Sequence, residues 1–384
     1  MKRRDFLTTV GAAGVAVIVP RAALAAAADY GNLLILVELK GGNDGLNTVI
    51  PYAAADYYRL RPRLAIPREQ VLQLDATAGL HPSLQALMPL WESRELAVVQ
   101  GIGYPNANLS HFRSIEIWDT ASGSNEYLRE GWLARTFAQT PAPAGYAADG
   151  IVVGGGEFGP LGGVGTRAIA LANTEQFLRQ ARLAVPSAEA RSGPLRHILK
   201  VESDIIQAAG NMTADYPFRT EFPRSPFGNA IRTAAQVVAS KAGVAALKVS
   251  LNGFDTHSGQ QATQARLLKD LADGLVALKS ALLEAGRWQS TLVMTYAEFG
   301  RRARENQSGG TDHGTASAHF VLGGKVKGGL YGQAPALARL DGNGNLPHAV
   351  DFRELYAIVL DRWWGVGSSG PLRGRYTPLE VLRT

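Results

Sequence analysis

The chain has 384 residues, with 39 Lys and Arg against 33 Asp and Glu, 43 Gly, 19 Pro, no cysteine and a formal charge of +6. These figures exclude a disordered tail, a disulfide scaffold, a collagen-like repeat and a cysteine-ligated zinc or iron–sulfur centre. The length allows one large domain or two ordinary ones, with enough apolar surface to fold without a metal or disulfide.

Lys2-Arg3-Arg4-Asp5-Phe6-Leu7 precedes an uncharged stretch from Thr8 to Pro20, then Arg21 and the small residues Ala23-Leu24-Ala25. A charged head, a short apolar middle and a small-residue end read as an export signal over residues 1–25. Paired arginines with Phe6 and Leu7 behind them read as a twin-arginine signal. Its apolar part is about half of the roughly 20 residues that cross a bilayer, so no permanent membrane span is predicted. Removing the signal takes away a net +3 and leaves the mature chain near +3. That surplus, with no Lys/Arg run interleaved by aromatics, predicts no nucleic-acid partner. The absence of cysteine suits an exported bacterial protein that does not depend on oxidative folding.

Leu33 to Leu39 is a continuous apolar run that stops at Lys40-Gly41-Gly42-Asn43-Asp44-Gly45, which predicts a strand buried on both faces and a tight turn. Leu96–Gln100, Ala245–Leu251 and Thr291–Tyr296 are further strand-like runs, and each also ends in a Gly-containing turn. Leu and Ala recur at three- and four-residue steps from Gln264 to Leu283, which predicts an amphipathic helix. Strands alternating with helices point to an α/β fold with a largely parallel sheet, in which ligands sit at the carboxyl ends of strands. Pro186–Pro194 and Pro217–Phe227 read as surface excursions, so residues 26–384 are expected to form a single domain with surface insertions.

The strand ends gather the chemistry. Asn43, Asp44 and Asn47 crowd the first turn, either as plain turn formers or as ligands. Ser110 opens a helix beside His111, as an N-cap or as a nucleophile. Asp255 and His257 stand two apart in extended backbone, so both side chains can face one ion, and the donor set suits zinc, manganese or iron. Glu298, Arg301 and Arg302 close the strand from Thr291, where an arginine fork can take phosphate, sulfate or carboxylate. Asp312 and His313 lie in a loop whose six residues from Gly309 carry three glycines, which lets backbone come close to what the loop binds. His319 stands beside that loop, whereas His81, His197 and His348 read as structural. Gly154-Gly155-Gly156-Glu157-Phe158-Gly159 has the spacing of a dinucleotide fingerprint. Pro160 and more glycines follow in place of a helix, so it reads as a plain loop.

Taken together, the twin-arginine head, Lys40–Thr48, Leu109-Ser110-His111-Phe112, Phe254-Asp255-Thr256-His257, Glu298-Phe299-Gly300-Arg301 and Gly310-Thr311-Asp312-His313-Gly314 resemble the DUF1501 family of exported bacterial proteins. Gly323-Gly324 and Lys327-Gly328-Gly329 extend the resemblance, which runs in order over nearly the whole mature chain. That family is itself similar to the alkaline phosphatase and sulfatase superfamily, which implies a three-layer α/β/α sandwich and one or two divalent ions, zinc, manganese or iron. The resemblance implies metal ligands at Asp44, Asp255, His257, Glu298 and His313, with Asp312, His111 or Asn43 completing the set, and Ser110 as nucleophile. Phe299 stands where superfamily members carry a second imidazole, and no cysteine is present to become a formylglycine. The expected activity is that of an exported, metal-dependent hydrolase of phosphate or sulfate esters. Ser110, His111 and Arg301 would carry the chemistry on a small-molecule or glycan ester. The alternative is a non-catalytic envelope protein that keeps the fold and binds a glycan or protein partner. Export would engage the twin-arginine translocase and leave the chain periplasmic or secreted.

Overall fold

A computed structural model describes residues 28–172, 216–240 and 242–383. The export signal, Pro186–Pro194 and His197 lie outside the described residues.

The main sheet is built from β1 (Leu33–Lys40), β2 (Leu96–Gly103), β3 (Ala148–Val153), β4 (Ala168–Leu171), β5 (Val244–Asn252), β6 (Thr291–Tyr296), β7 (Ser317–Leu322), β8 (Gly329–Gly332) and β9 (Val350–Asp351). The order across it is β8-β2-β7-β6-β1-β5-β3-β4, with β9 also paired to β2. Every pairing is parallel except those of β7, which runs antiparallel to both β2 and β6. The sheet is therefore mixed and mostly parallel.

Side chains alternate across β1, and the two faces feed two cores. Leu33, Ile35, Val37 and Leu39 pack with α4 (Pro226–Ala239) and α5 (Gln260–Glu284). Leu34 and Leu36 pack on the other side with α2 (His111–Thr120), α3 (Trp132–Gln139) and α6 (Phe352–Ala357). This is the expected α/β/α arrangement. The 25 residues of α5 span the predicted Gln264–Leu283 stretch and begin one turn earlier. The excursion expected at Pro217–Phe227 is cut short. Pro226 opens α4, whose N-terminus is capped by Ser225 Oγ accepting from the Gly228 N–H at 2.9 Å. Ile151–Val153 ends β3 and leads into a loop and a short 3-10 turn at Gly159–Leu161, with no long helix, so no dinucleotide fingerprint forms.

Parallel pairing in register places several strand exits side by side. Lys40 lies opposite Asn252, and Glu38 opposite Tyr296, so the chain leaves β1, β5 and β6 along one edge. β2 ends at that edge and leads into α2. The return loop before β7 joins them through a bridge between Arg301 and His313. Gly41, with φ +114°, makes this crowding possible, because a Cβ there would lie 2.4 Å from the Asp255 nitrogen. Among the described residues no helix is long and apolar enough to cross a membrane.

His319 on β7 is fully buried, its Nε2 has no hydrogen-bond partner, and burial pushes its pKa down to about 3. The folded state therefore holds this imidazole neutral, while the unfolded chain takes up a proton below its ordinary value near 6.5. Stability is expected to be complete above that value and to fall as pH drops toward about 3. Urea unfolding from pH 7 to 4 should show the loss, and His319→Leu should flatten that acid limb.

Candidate metal centre

Three histidines from three separate segments converge on one carboxylate. His111 opens α2, His257 follows β5, and His313 sits in the loop before β7. Asp255, just past β5, receives all three. His257 Nε2 is 3.1 Å and His313 Nε2 3.2 Å from its Oδ1, and His111 Nε2 is 3.4 Å from its Oδ2.

Each imidazole reaches this point with its other nitrogen tied outward. His111 Nδ1 meets Glu298 Oε1 at 2.8 Å, and that same oxygen accepts from the Gly41 N–H at 2.9 Å. His313 Nδ1 lies 2.8 Å from the Leu109 carbonyl, which can only accept, so Nδ1 carries the proton and Nε2 presents a lone pair. His257 Nδ1 faces Asp312 Oδ1 at 3.5 Å. An outer acceptor that fixes the inward nitrogen is the arrangement of metal-ligating histidines.

His111, Asp255 and His313 are mutually close, His257 reaches two of them, and some inner atoms have unmet needs. His257 Nε2 and His313 Nε2 are 2.9 Å apart. Ligand atoms about 2.0–2.1 Å from a tetrahedral ion sit about 3.3 Å from one another. His111, Asp255 and His313 offer atoms that lie mutually within 4.8 Å. His111 Nε2 and Glu298 Oε2 are buried with no hydrogen-bond partner. A divalent cation fits this nitrogen-rich set, and the nitrogens favour zinc, manganese or iron over calcium.

Asp255 is held ionised. Burial pushes its carboxyl up, but the Arg301 guanidinium that donates to it outweighs this and brings the pKa down to about 2. For His313, burial is the largest influence and lowers its pKa, with Arg301 and His111 adding to the shift. Both groups are thereby kept in the state that coordinates a cation.

The other expected residues fall around this cluster. Glu298 stands behind His111 and orients it. Asp312 stands behind His257. Phe299, next to Glu298, packs its ring 4.9 Å from His111 and 4.6 Å from His313, centroid to centroid. Arg301 is fully buried below Asp255, to which Nη2 donates at 2.7 Å, and its remaining N–H groups go to the carbonyls of Gly41, Gly42, Phe254 and Thr311. It faces the protein, not the opening, and so positions Asp255 without meeting a substrate anion.

Asp44 does not join the cluster. It makes a buried bidentate pair with Arg61, at 2.5 and 2.9 Å, and accepts from Gln260 Nε2. Asn43 is likewise spent locally, on Thr48. Ser110 lies between Leu109 and His111, both of which touch the centre. It is exposed, and its side chain makes no capping bond. The glycine loop does approach something closely, but that something is protein. A Cβ on Gly310 would lie 2.3 Å from the His257 carbonyl carbon.

A cleft of about 740 Å³ opens beside His111, Asp255 and Glu298. Its walls include Phe112, Ile115 and Asp119 of α2 and Glu157 and Gly159 from the glycine-rich loop after β3. Sequence reasoning missed Asp119 and Phe112. The i, i+4, i+8 spacing of His111, Ile115 and Asp119 was the available signal.

Glu298→Gln keeps the shape and removes the charge that supports His111. It is expected to weaken metal affinity about 10- to 100-fold without abolishing it, which a competition titration with a chromophoric chelator would read.

No curated protein matches the sequence. Among solved structures, the chain is similar to the C-terminal periplasmic domain of EcEptC from Escherichia coli, with TM-score 0.40, 10% identity, and coverage of 93% of this chain and 90% of that one. It is also similar to a protein in the alkaline phosphatase superfamily from Vibrio parahaemolyticus, with TM-score 0.42, 11% identity, and coverage of 90% and 69%. The lipoteichoic acid synthase LtaP from Listeria monocytogenes aligns with TM-score 0.40, 10% identity, and coverage of 90% and 76%. The family model described as "Protein of unknown function (DUF1501)" matches residues 32–373, and the chain belongs to that family.

Proposed function

We propose that the protein is a metal-dependent hydrolase of phosphate or sulfate esters. The observation that carries this reading is the convergence of three imidazole Nε2 atoms on Asp255 while every Nδ1 is tied outward. His111, Asp255, His257 and His313 would hold the ion. A divalent ion in such a site polarises an ester oxygen and lowers the pKa of a bound hydroxyl or water.

The chain's own residues do the rest. Arg301 fixes the Asp255 carboxylate, Glu298 and the Leu109 carbonyl fix two of the imidazoles, and Phe299 packs beneath them. Ser110 is the proposed nucleophile, because its neighbours on both sides are anchored in the centre and its hydroxyl is exposed. Export through the twin-arginine translocase is part of the proposal. It rests on Arg3, Arg4, Phe6 and Leu7, and Arg3→Lys/Arg4→Lys should trap the precursor in the cytoplasmic fraction.

The test is elemental analysis of purified protein, followed by assays on aryl phosphate and aryl sulfate before chelation, after chelation and after returning zinc, manganese or iron. Near-stoichiometric metal and activity that leaves and returns with it are expected. Metal-free protein that hydrolyses neither ester under any loading would overturn the proposal. Ser110→Ala should keep the metal and lose the activity. Full activity in that variant would assign the attack to water instead.

A further inference from the structure

The cleft beside the centre carries information about the rest of the substrate. It runs along α2, whose lining residues His111, Phe112, Ile115, Glu116 and Asp119 form one stripe of the helix. Eight residues separate His111 from Asp119, so at 1.5 Å per residue the cleft extends about 12 Å from the centre.

The charges in its walls are already matched. Glu38 pairs with Lys248 at 2.9 Å, Glu157 with Lys40 at 2.6 Å, and Glu116 with Arg113 at 2.9 Å. Arg129, the one lining cation without a partner among the described residues, is solvent-exposed. Apart from Arg129 at its exposed rim, such a wall offers no free cation for a second anionic group and penalises the desolvation of one.

What remains is carbon. The walls are mostly apolar, and Phe112, next to His111, is 89% exposed. Phe112 shares this lining with Ile115 and Leu128, and an exposed apolar ring at an opening marks a binding site. The far end is different. Asp119 Oδ1 lies 3.5 Å from the Tyr296 hydroxyl. Burial is the main influence on that carboxyl and pushes its pKa up to about 8, against the opposing charge of Lys248. At neutral pH it can donate a hydrogen bond as well as accept one.

We propose that this cleft is the subsite for the other half of the ester, an uncharged aryl alcohol lying against Phe112 with a hydrogen-bonding group at its far end that meets Asp119. This rests on the hydrolase reading for the word ester, but the binding itself does not require turnover.

The test therefore has two readouts. The first is binding of neutral para-phenylphenol, of biphenol with a hydroxyl at both ends, and of a methyl hexoside, to protein as purified, by ligand-observed NMR and calorimetry. The aryl alcohols are expected to bind, biphenol more tightly, and the hexoside not to bind. Phe112→Ala, a change at an exposed position, should weaken both aryl alcohols about tenfold. Asp119→Leu should remove the preference for biphenol, and Asp119→Asn should keep it. The second readout is hydrolysis of the corresponding aryl monoester against a hexose monoester, where Phe112→Ala should raise KM for the aryl ester and leave kcat.

Aryl binding that responds to Phe112 without hydrolysis of any ester would keep the subsite and sink the hydrolase. Hydrolysis of both esters alike, with no effect of Phe112→Ala, would sink the subsite and keep the hydrolase. Preferential binding of the hexoside would overturn the proposed class.

Discussion

Replacing His313 with alanine is expected to cut metal affinity by more than about a hundredfold and to take ester hydrolysis to background. His313 is the hub of the side-chain cluster. Its Nε2 is within 3.2 Å of Asp255 Oδ1 and 2.9 Å of His257 Nε2, and its ring packs 4.4 Å from that of His111. Losing a proposed inner ligand should cost more than losing an outer acceptor, for which 10- to 100-fold is usual. The fold should survive, because His313 lies in a loop and touches no core strand through its side chain. Elemental analysis and near-ultraviolet circular dichroism on the same sample would separate the two effects. Metal retained at wild-type stoichiometry would show that His313 is a bystander.

Asp44→Ala is expected to lower unfolding stability by about 3–5 kcal/mol, the cost of leaving a buried partner charge uncompensated. Arg61 has no exposed side-chain surface, and besides Asp44 it donates to Asn47, Ala303 and Arg302. Those carbonyl and amide oxygens cannot neutralise it. Metal binding should persist in folded protein, because Asp44 is not among the converging ligands. Replacing both partners, Asp44→Leu with Arg61→Met, should cost less than Asp44→Ala alone. Denaturant titrations of the three variants would check the order. A single variant with wild-type stability would show that water enters and screens the guanidinium.

Strand runs that end in glycine turns were legible from the sequence because burial on both faces leaves an unbroken apolar signature, as in Leu33–Leu39. β7 and β8 were not. Ser317–Leu322 contains Ser and His, and its place between β2 and β6 is decided by long-range pairing that no local pattern records. The strand-end residues that pattern reading singled out lie along one edge, because the ends of parallel strands collect there. That reading could not rank carboxylates. Asp44 and Asp255 both follow strands, yet one meets Arg61 and the other meets three imidazoles. Only the fold, through Arg61 from a separate segment, makes that choice. Arg301 misled for the same reason. A guanidinium in sequence gives no sign of whether four buried carbonyl oxygens or a substrate will meet it.

The centre draws on distant parts of the chain, with His111 separated from Glu298 by 187 positions and His313 from Asp255 by 58. No fragment emerging from a ribosome holds more than part of the donor set until the last third of the polypeptide has been made. On the proposed reading, metal capture is thus a late event that follows the meeting of segments far apart in the chain. A cell that checks this protein for the proposed metal would, in the same act, be checking that these distant segments have met.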